Sequence, residues 1–326
     1  MCTAITYQTD CFYFGRTLDY DMSYAEEIAI TPRNCPLRFR SVGEVNRHYA
    51  IIGMAYVPDK FPLYYDAVNE KGLCMAGLNF VGNAHYSEEI DGEFNLAQFE
   101  LIPYLLATCS SVKQALDCLK AINLTNVPYR NDLPPAQLHW LLADKESSVT
   151  IEFMRDGLKI HSNPVGVLTN NPPFAEQLSN LTDYLHLSPY EPKNTFSEKI
   201  SLIPYSRGMG AIGLPGDVSS KSRFVRAAFM KLNAVSDSAE AESVNAFFHI
   251  LGTVSQPKGC CILENGRHEM TIYTSCCNAD RGIYYYTTYE NHSISAVDLF
   301  SENLEDSVIH RYPLAKEERI LFQNRK

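Results

Sequence analysis

The first twenty residues, MCTAITYQTDCFYFGRTLDY, constrain what the rest of the chain can build around. Residues 3–7 and 11–17 are rich in β-branched and aromatic side chains, and Gln8-Thr9-Asp10 lies between them. That pattern predicts a hairpin with a three-residue loop. In that register Tyr7 faces Cys11 and Cys2 faces Arg16. Directly opposed residues hold their Cβ atoms about 4.5–5.5 Å apart. A guanidinium at that range favours a thiolate and disfavours a protonated amine. Arg16 shares its strand face with Phe12 and Phe14, an odd setting for a solvated arginine. A two-residue loop would shift the register by one and undo the pairing, so this geometry is conditional on loop length.

Cys2 stands directly behind Met1. A residue that small normally permits removal of the initiator, which would put a thiol and a free α-amine on one residue. An unperturbed thiol has a pKa of roughly 8.5 and an α-amine one of about 7.7–8.0. One residue then supplies nucleophile and base, as in N-terminal variants of nucleophilic catalysis. Asp19, three residues beyond Arg16, is placed to hold the amine and balance the arginine if the chain bends after Thr17. A cysteine at position 2 is by itself most often without function. Its company with Arg16 and Asp19 at one hairpin end makes it a candidate nucleophile.

Composition excludes several classes. The chain has 326 residues, 45% of them apolar and 20% charged, so it has material for a sizeable core in one large or two ordinary domains. Its longest apolar runs fall far short of the ~18–20 residues a membrane-spanning helix needs. No charged and apolar leader with a cleavage site opens it, so no secretory signal is read. Without one, the ten cysteines are expected to be reduced thiols in the cytoplasm. Cys260-Cys261 and Cys276-Cys277 are adjacent pairs, and the nine histidines include no HExxH, so no metal is expected. A formal charge of −10 argues against a nucleic-acid partner. It also opposes anionic substrates unless local arginines offset it.

Farther along, residues 26–32, 49–56, 62–69 and 73–80 read as strands. The loops beside them carry exposed-looking apolar residues, Met22, Tyr24, Val57 and Phe61, which suit either ordinary rim packing or a pocket wall. Residues 96–121 have helical periodicity broken near Ser110-Ser111, where a serine cap starts a second helix. A proline-rich loop, 126–137, leads to strands at 138–143, 147–154 and 157–161. Residues 165–174 read as a strand ending in Asn170-Asn171, a dipeptide that most often marks a turn. Asn79 likewise ends an apolar strand. A buried asparagine needs partners, and its amide N–H can face a developing oxyanion. The glycines at 208, 210 and 213 match a dinucleotide fingerprint in spacing only, since no strand precedes them and Leu214-Pro215-Gly216 follows. A helix over about 222–234 opens on Arg223, which the helix dipole disfavours there; a surface ion pair or a specific partner would explain it. A second helix, about 238–253, is expected to pack His249 into the core. Residues 270–277, 282–290 and 293–299 read as an antiparallel meander, and the tail from Glu302 as a peripheral strand and a loose end. The pattern alone gives an α+β chain.

Several long segments occur in a familiar order: MCTAITY with YFGRTLDY, NEKGLCMAGLNF, LHWLLAD, GVLTNNPPF, GLPGDVSSKSRFVRAAF, FFHILGTV and YYYTTYENHSISAVDL. Together they resemble the choloylglycine hydrolase family, N-terminal-nucleophile enzymes that include bile salt hydrolases and penicillin V acylases. The resemblance is closest to the bile salt hydrolases of Gram-positive gut bacteria and spans essentially the whole chain. It implies one domain over 1–326 with a four-layer αββα sandwich of two mainly antiparallel sheets. It also implies that Cys2, after Met1 removal, cleaves the amide of glycine- or taurine-conjugated bile salts through a thioester. Arg16, Asp19, Asn79, Asn170 and Arg223 then belong to the catalytic constellation, and Met22, Tyr24, Val57 and Phe61 to the substrate site. No metal or organic cofactor, nucleic acid or membrane is implied, and a homotetramer in the cytoplasm is. Penicillin V acylase is the alternative on the same chemistry, against which Asn79 speaks because family penicillin acylases often carry tyrosine at that place. A non-enzymatic small-molecule binder on the same fold is the alternative from another class.

Overall fold

The computed structural model describes residues 1–324. Alternation along its strands explains how they stack. Ile28 and Ile30 pack into one buried cluster while Ala29 packs into another. Cys74 and Ala76 likewise separate from Met75. Successive side chains of a strand point to opposite faces, so strands that are apolar throughout must be covered on both sides. The first cluster fills the space between two sheets and continues, through residues such as Phe224 and Phe247, to the helices over one of them; the second lies between the other sheet and the helices outside it.

The first sheet runs, in spatial order, Val167–Leu168, Cys2–Gln8, Phe12–Tyr20, His268–Asn278, Ile283–Thr288 and Ser295–Asp298. The second runs Gly157–Ser162, Ser148–Met154, Leu138–Ala143, Cys74–Asn79, Leu63–Asn69, Ile51–Tyr56, Glu27–Thr31 and His310–Pro313. Pairing within both is antiparallel. Helices Ser220–Asn233 and Glu240–Gly252 cover the first sheet, and Leu101–Thr108 covers the second. The result is the four-layer αββα sandwich.

The N-terminal hairpin forms with a register two residues away from the expected one. Its loop is Thr9-Asp10-Cys11, so Cys2 pairs with Leu18 and Arg16 with Ala4. The side-chain period is two, so this shift keeps Arg16 on the face of Cys2, now as a diagonal neighbour. Distant residues hold the loop: Asp280 accepts from the Phe12 N–H at 2.7 Å, and the hydroxyls of Thr9 and Ser243 lie 2.9 Å apart. The strand Cys2–Gln8 sits inside its sheet, and the next one approaches its neighbour closely. A Cβ on Gly15 would stand 2.1 Å from the Ser275 carbonyl oxygen.

Other expectations shift. The helical stretch splits into Leu101–Thr108 and Val112–Leu119, and Ser111 caps the second by accepting from the Gln114 N–H at 3.3 Å. Its beginning is a short strand, Phe94–Ala97, parallel to Ile122–Thr125. The strand expected over 165–174 is only Val167–Leu168, and a helix, Phe174–Asn180, follows. His249 is exposed instead of core-packed, because it falls on the outer face of its helix. Val57 and Phe61 are buried instead of exposed, with Phe61 against Phe39, Phe99 and Tyr129. Among the described residues no helix is long and apolar enough to cross a membrane.

Candidate active site

Cys2 heads an interior strand and is 2% exposed. It lines a cavity of about 420 Å³. Arg16 reaches the same cavity from the adjacent strand, fully enclosed by the two sheets. Its Nη1 donates to the carbonyls of Gly77 at 2.5 Å and Tyr65 at 3.2 Å, and its Nε to that of Thr17 at 3.2 Å. Its Nη2 is buried and has no hydrogen-bond partner among the described residues. Burial works against the charged guanidinium, but the fields of Cys2, Tyr273, Asp66 and Asp19 outweigh it and raise the pKa. Asp66 accepts from Tyr273 and Tyr284 at 2.6 Å and from Ser275 at 2.9 Å. Burial pushes its carboxyl up against the opposing pull of Arg16 and those hydroxyls.

Asn170 and Arg223 close the other side. Asn170 Oδ1 accepts from the Cys2 N–H at 2.8 Å and from Arg223 Nη2 at 2.7 Å. Asn170 Nδ2 donates to the Asn79 carbonyl at 2.9 Å. Arg223 stands in the first turn of its helix because buried acceptors outweigh the dipole: Thr3 Oγ1 at 2.7 Å, the Val218 carbonyl at 2.9 Å, and the Cys2 carbonyl. The dipole opposes it by only about 0.3–1 kcal/mol, while a buried charge left without partners costs several. Desolvation nonetheless lowers its pKa. The Asn79 side chain lines the cavity and makes no hydrogen bond to the protein among the described residues.

Asp19 lies on the opposite strand face from Arg16, fully buried. Its carboxylate accepts from Thr271 at 2.6 Å, Thr17 at 3.2 Å and Gln256 at 3.3 Å, and stands 4.0 Å from Arg223 Nη1. Its backbone extends the hairpin ladder to Met1: the Met1 carbonyl accepts from the Asp19 N–H at 2.9 Å, and the Met1 ammonium donates to the Asp19 carbonyl at 2.6 Å and to Glu269. With Met1 attached the Cys2 nitrogen is an amide. Asp19 therefore approaches the chain start through its main chain.

The cavity wall is apolar with hydroxyls spread over it. Tyr24 lines it, together with Tyr20, Tyr56, Tyr65, Phe99 and Tyr129. Residues 132–136 of the proline-rich loop complete it. Val57 and Phe61 line a neighbouring cavity that shares Phe99 and Tyr129 with this one. Met22 is 41% exposed, with its sulfur 3.6 Å from Arg267 Nη1, and lines neither. The loop 126–137 was visible in the sequence by its prolines, but no local signal says which distant loop it meets. The same holds for Gln256 and Thr271, which hold Asp19. No group of three or more His, Cys, Asp or Glu among the described residues is arranged to hold a metal.

Two antiparallel sheets between helices, with a cysteine at the head of an interior strand, make the N-terminal-nucleophile hydrolase fold. The sequence profile described as linear amide C-N hydrolases, choloylglycine hydrolase family, matches residues 2–312, and the chain belongs to that family. It is 54% identical to the bile salt hydrolase/transferase of Lactiplantibacillus plantarum, over 97% of this chain and 98% of that one. It is 35% identical to the bile salt hydrolase/transferase of Clostridium perfringens over 97% and 98%. The crystal structure of a mutant conjugated bile acid hydrolase from Clostridium perfringens superposes with a TM-score of 0.92 at 35% identity, covering 99% of this chain and 100% of that one. Penicillin V acylase from Agrobacterium tumefaciens shares the fold, with a TM-score of 0.74 at 20% identity over 97% and 92%.

Proposed function

We propose that this hydrolase cleaves the amide bond of glycine- or taurine-conjugated bile salts. The observation that carries the reading is a cysteine in a cavity where two donors, Arg16 Nη2 and the Asn79 amide, have no hydrogen-bond partner among the described residues. A buried unpaired donor such as Arg16 Nη2 costs about 1–3 kcal/mol, which a carbonyl oxygen or a carboxylate in the cavity would recover. The tyrosine-rich wall suits a hydroxylated, largely apolar ring system, and the names of the relatives point to the same substrate class.

The mechanism begins with loss of Met1, which turns the Cys2 nitrogen into a free amine. The amine, oriented by Asn170 Oδ1, takes the thiol proton directly or through water. The thiolate, favoured by Arg16, attacks the amide carbonyl. Asn79 and Asn170 donate to the oxyanion, glycine or taurine leaves with a proton from the amine, and water resolves the thioester. Arg223 fixes Asn170 and the Cys2 carbonyl, and Asp19 balances the two arginines. Tyr24 contributes to the substrate wall, while Met22, Val57 and Phe61 act at its margin. The 326 residues work as one domain without a cofactor, in the cytoplasm. The copies assemble through the exposed apolar segment 185–214, where Leu185, Phe196, Ile203 and Tyr205 face solvent; a homotetramer is the proposed state.

The test is incubation with glycocholate, taurocholate and penicillin V in parallel, with the released amine quantified and Met1 removal checked by intact mass. Dominant release of glycine or taurine supports the reading. Dominant release of 6-aminopenicillanic acid keeps the chemistry and overturns the substrate. Silence on all three in a chain lacking Met1 overturns the pocket assignment.

A further inference from the structure

Behind the cavity lies a buried acid–imidazole pair that the mechanism above does not use. His139 and Glu152 sit on neighbouring strands of the second sheet, both with no solvent exposure. His139 Nδ1 lies 3.0 Å from Glu152 Oε1, and its Nε2 lies 2.8 Å from the Thr169 carbonyl oxygen. That carbonyl can only accept, so Nε2 donates to it, and the Nδ1 contact to Glu152 Oε1 is a hydrogen bond through a proton shared between the ring and the carboxyl. Glu152 Oε1 also accepts from the Phe174 N–H at 2.9 Å. The pair thus grips both ends of the turn that carries Asn170. Gln177 tightens the same turn: its Nε2 donates to the Asn170 carbonyl at 2.5 Å and to that of Pro172 at 2.8 Å, and its Oε1 accepts from Thr169 Oγ1 at 2.6 Å.

The imidazole has a second contact. Its ring stacks on Phe80 with centroids 4.3 Å apart and planes within 5°. Phe80 follows Asn79 in the chain. One ring therefore touches the immediate neighbours of both asparagines, which are joined by the Asn170 Nδ2 hydrogen bond to the Asn79 carbonyl and of which Asn170 also binds the Cys2 N–H. The pair is also costly to keep. Glu152 Oε2 is buried without a hydrogen bond among the described residues, and His161 Nε2 stands 3.6 Å from it. Apolar residues of similar volume commonly replace such pairs with no loss of stability, so stability alone does not account for it.

We propose that His139 and Glu152 are positioning residues, holding the turn of Asn170 and the end of the Asn79 strand so that the two amides converge on Cys2. The inference deepens the hydrolase reading and rests on it for the reacting groups. The experiment compares His139→Phe, Glu152→Gln and the double variant with the parent. Phenylalanine keeps the stack on Phe80 and removes the grip on Thr169. The double variant removes the uncompensated carboxylate if His139→Phe alone does not fold, and Glu152→Gln keeps an acceptor for the Phe174 N–H. In folded variants kcat on glycocholate falls about 10–100-fold with KM changed less than about 2-fold, the signature of misplaced reacting groups. Cys2 alkylation by iodoacetamide, followed by peptide mass, slows by about 3-fold or more, while exposed Cys260 reacts at the parental rate. Parental kcat and parental Cys2 alkylation in a folded variant overturn the proposal. A parent inactive on conjugated bile salts, with Cys2 alkylation still slowed in the variants, defeats the substrate reading and leaves the positioning role standing.

Discussion

The two asparagines differ in how their side chains are used, and that difference separates their expected phenotypes. The Asn79 side chain has no hydrogen-bond partner among the described residues, since only its main-chain carbonyl accepts, from Asn170, so Asn79→Ala removes a cavity donor and little else. Loss of one oxyanion donor costs about 10²–10³ in kcat, and the melting temperature should stay at the parental value. Asn170 joins Cys2, Arg223 and Asn79, so Asn170→Ala leaves buried donors unpaired. It should lose activity and also about 1–3 kcal/mol of stability. Kinetics and urea unfolding on the two variants check the contrast; equal stability losses would contradict it. Cys2→Ser should abolish turnover with an unchanged fold, read by the same amine-release assay and circular dichroism.

At the scale of elements, the interior hairpin and the helix that carries Arg223 are the parts under most constraint. Gly15→Ala would drive a Cβ into the Ser275 carbonyl, a backbone atom with no room to move. Overpacking of this kind costs about 1–3 kcal/mol or more, measurable as a lower urea midpoint. Asp217 sits ahead of the helix Ser220–Asn233 and accepts from the Ser219 N–H at 2.9 Å and from Ser222 Oγ at 2.5 Å. The Ser219 and Ser222 hydrogen bonds hold its carboxyl down to about 2. A carboxyl lowered on folding stabilises above its unfolded pKa of about 3.9. That contribution disappears as the pH falls from about 4 through 2. Because Asp217 is exposed, the contribution is at most about 1 kcal/mol. Asp217→Asn should therefore be slightly less stable than the parent above pH ~4 and converge with it near pH ~2. A gap that widens toward low pH would reverse the sign and refute the argument.

For the whole molecule, a net charge of −10 faces a proposed anionic substrate, and Arg16 is the cation that lines the cavity among the described residues. The segment 185–214 concentrates exposed apolar side chains beyond the scattered single residues normal on a monomer. Replacing Phe196, Ile203 and Tyr205 together with serine should reduce the proposed tetramer to smaller species in light scattering, with little change in the unfolding of the monomer. A parent that is already monomeric removes the proposed assembly.

Strand positions, helix positions and the catalytic candidates were legible because they depend on local periodicity and on motifs contiguous in the chain. Runs such as 49–56 and 73–80 are apolar on both faces, which already demands two covering layers. Arg223 was conspicuous as a cation at a helix start. The hairpin register was not legible, since Gln8-Thr9-Asp10 and Thr9-Asp10-Cys11 are equally good three-residue loops. Asp280 and Ser243, more than two hundred residues away in the chain, favour the second. The wall of the cavity was open for the same reason. Tyr24 and the loop 126–137 meet there, whereas Val57 and Phe61 turn into the aromatic cluster of the neighbouring cavity. By itself the sequence determined the nucleophile candidate, the arginines and asparagines around it, and the layers to be buried. Only the tertiary structure decided which partners those polar groups find, because a buried hydrogen bond is set by where distant backbone carbonyls come to rest.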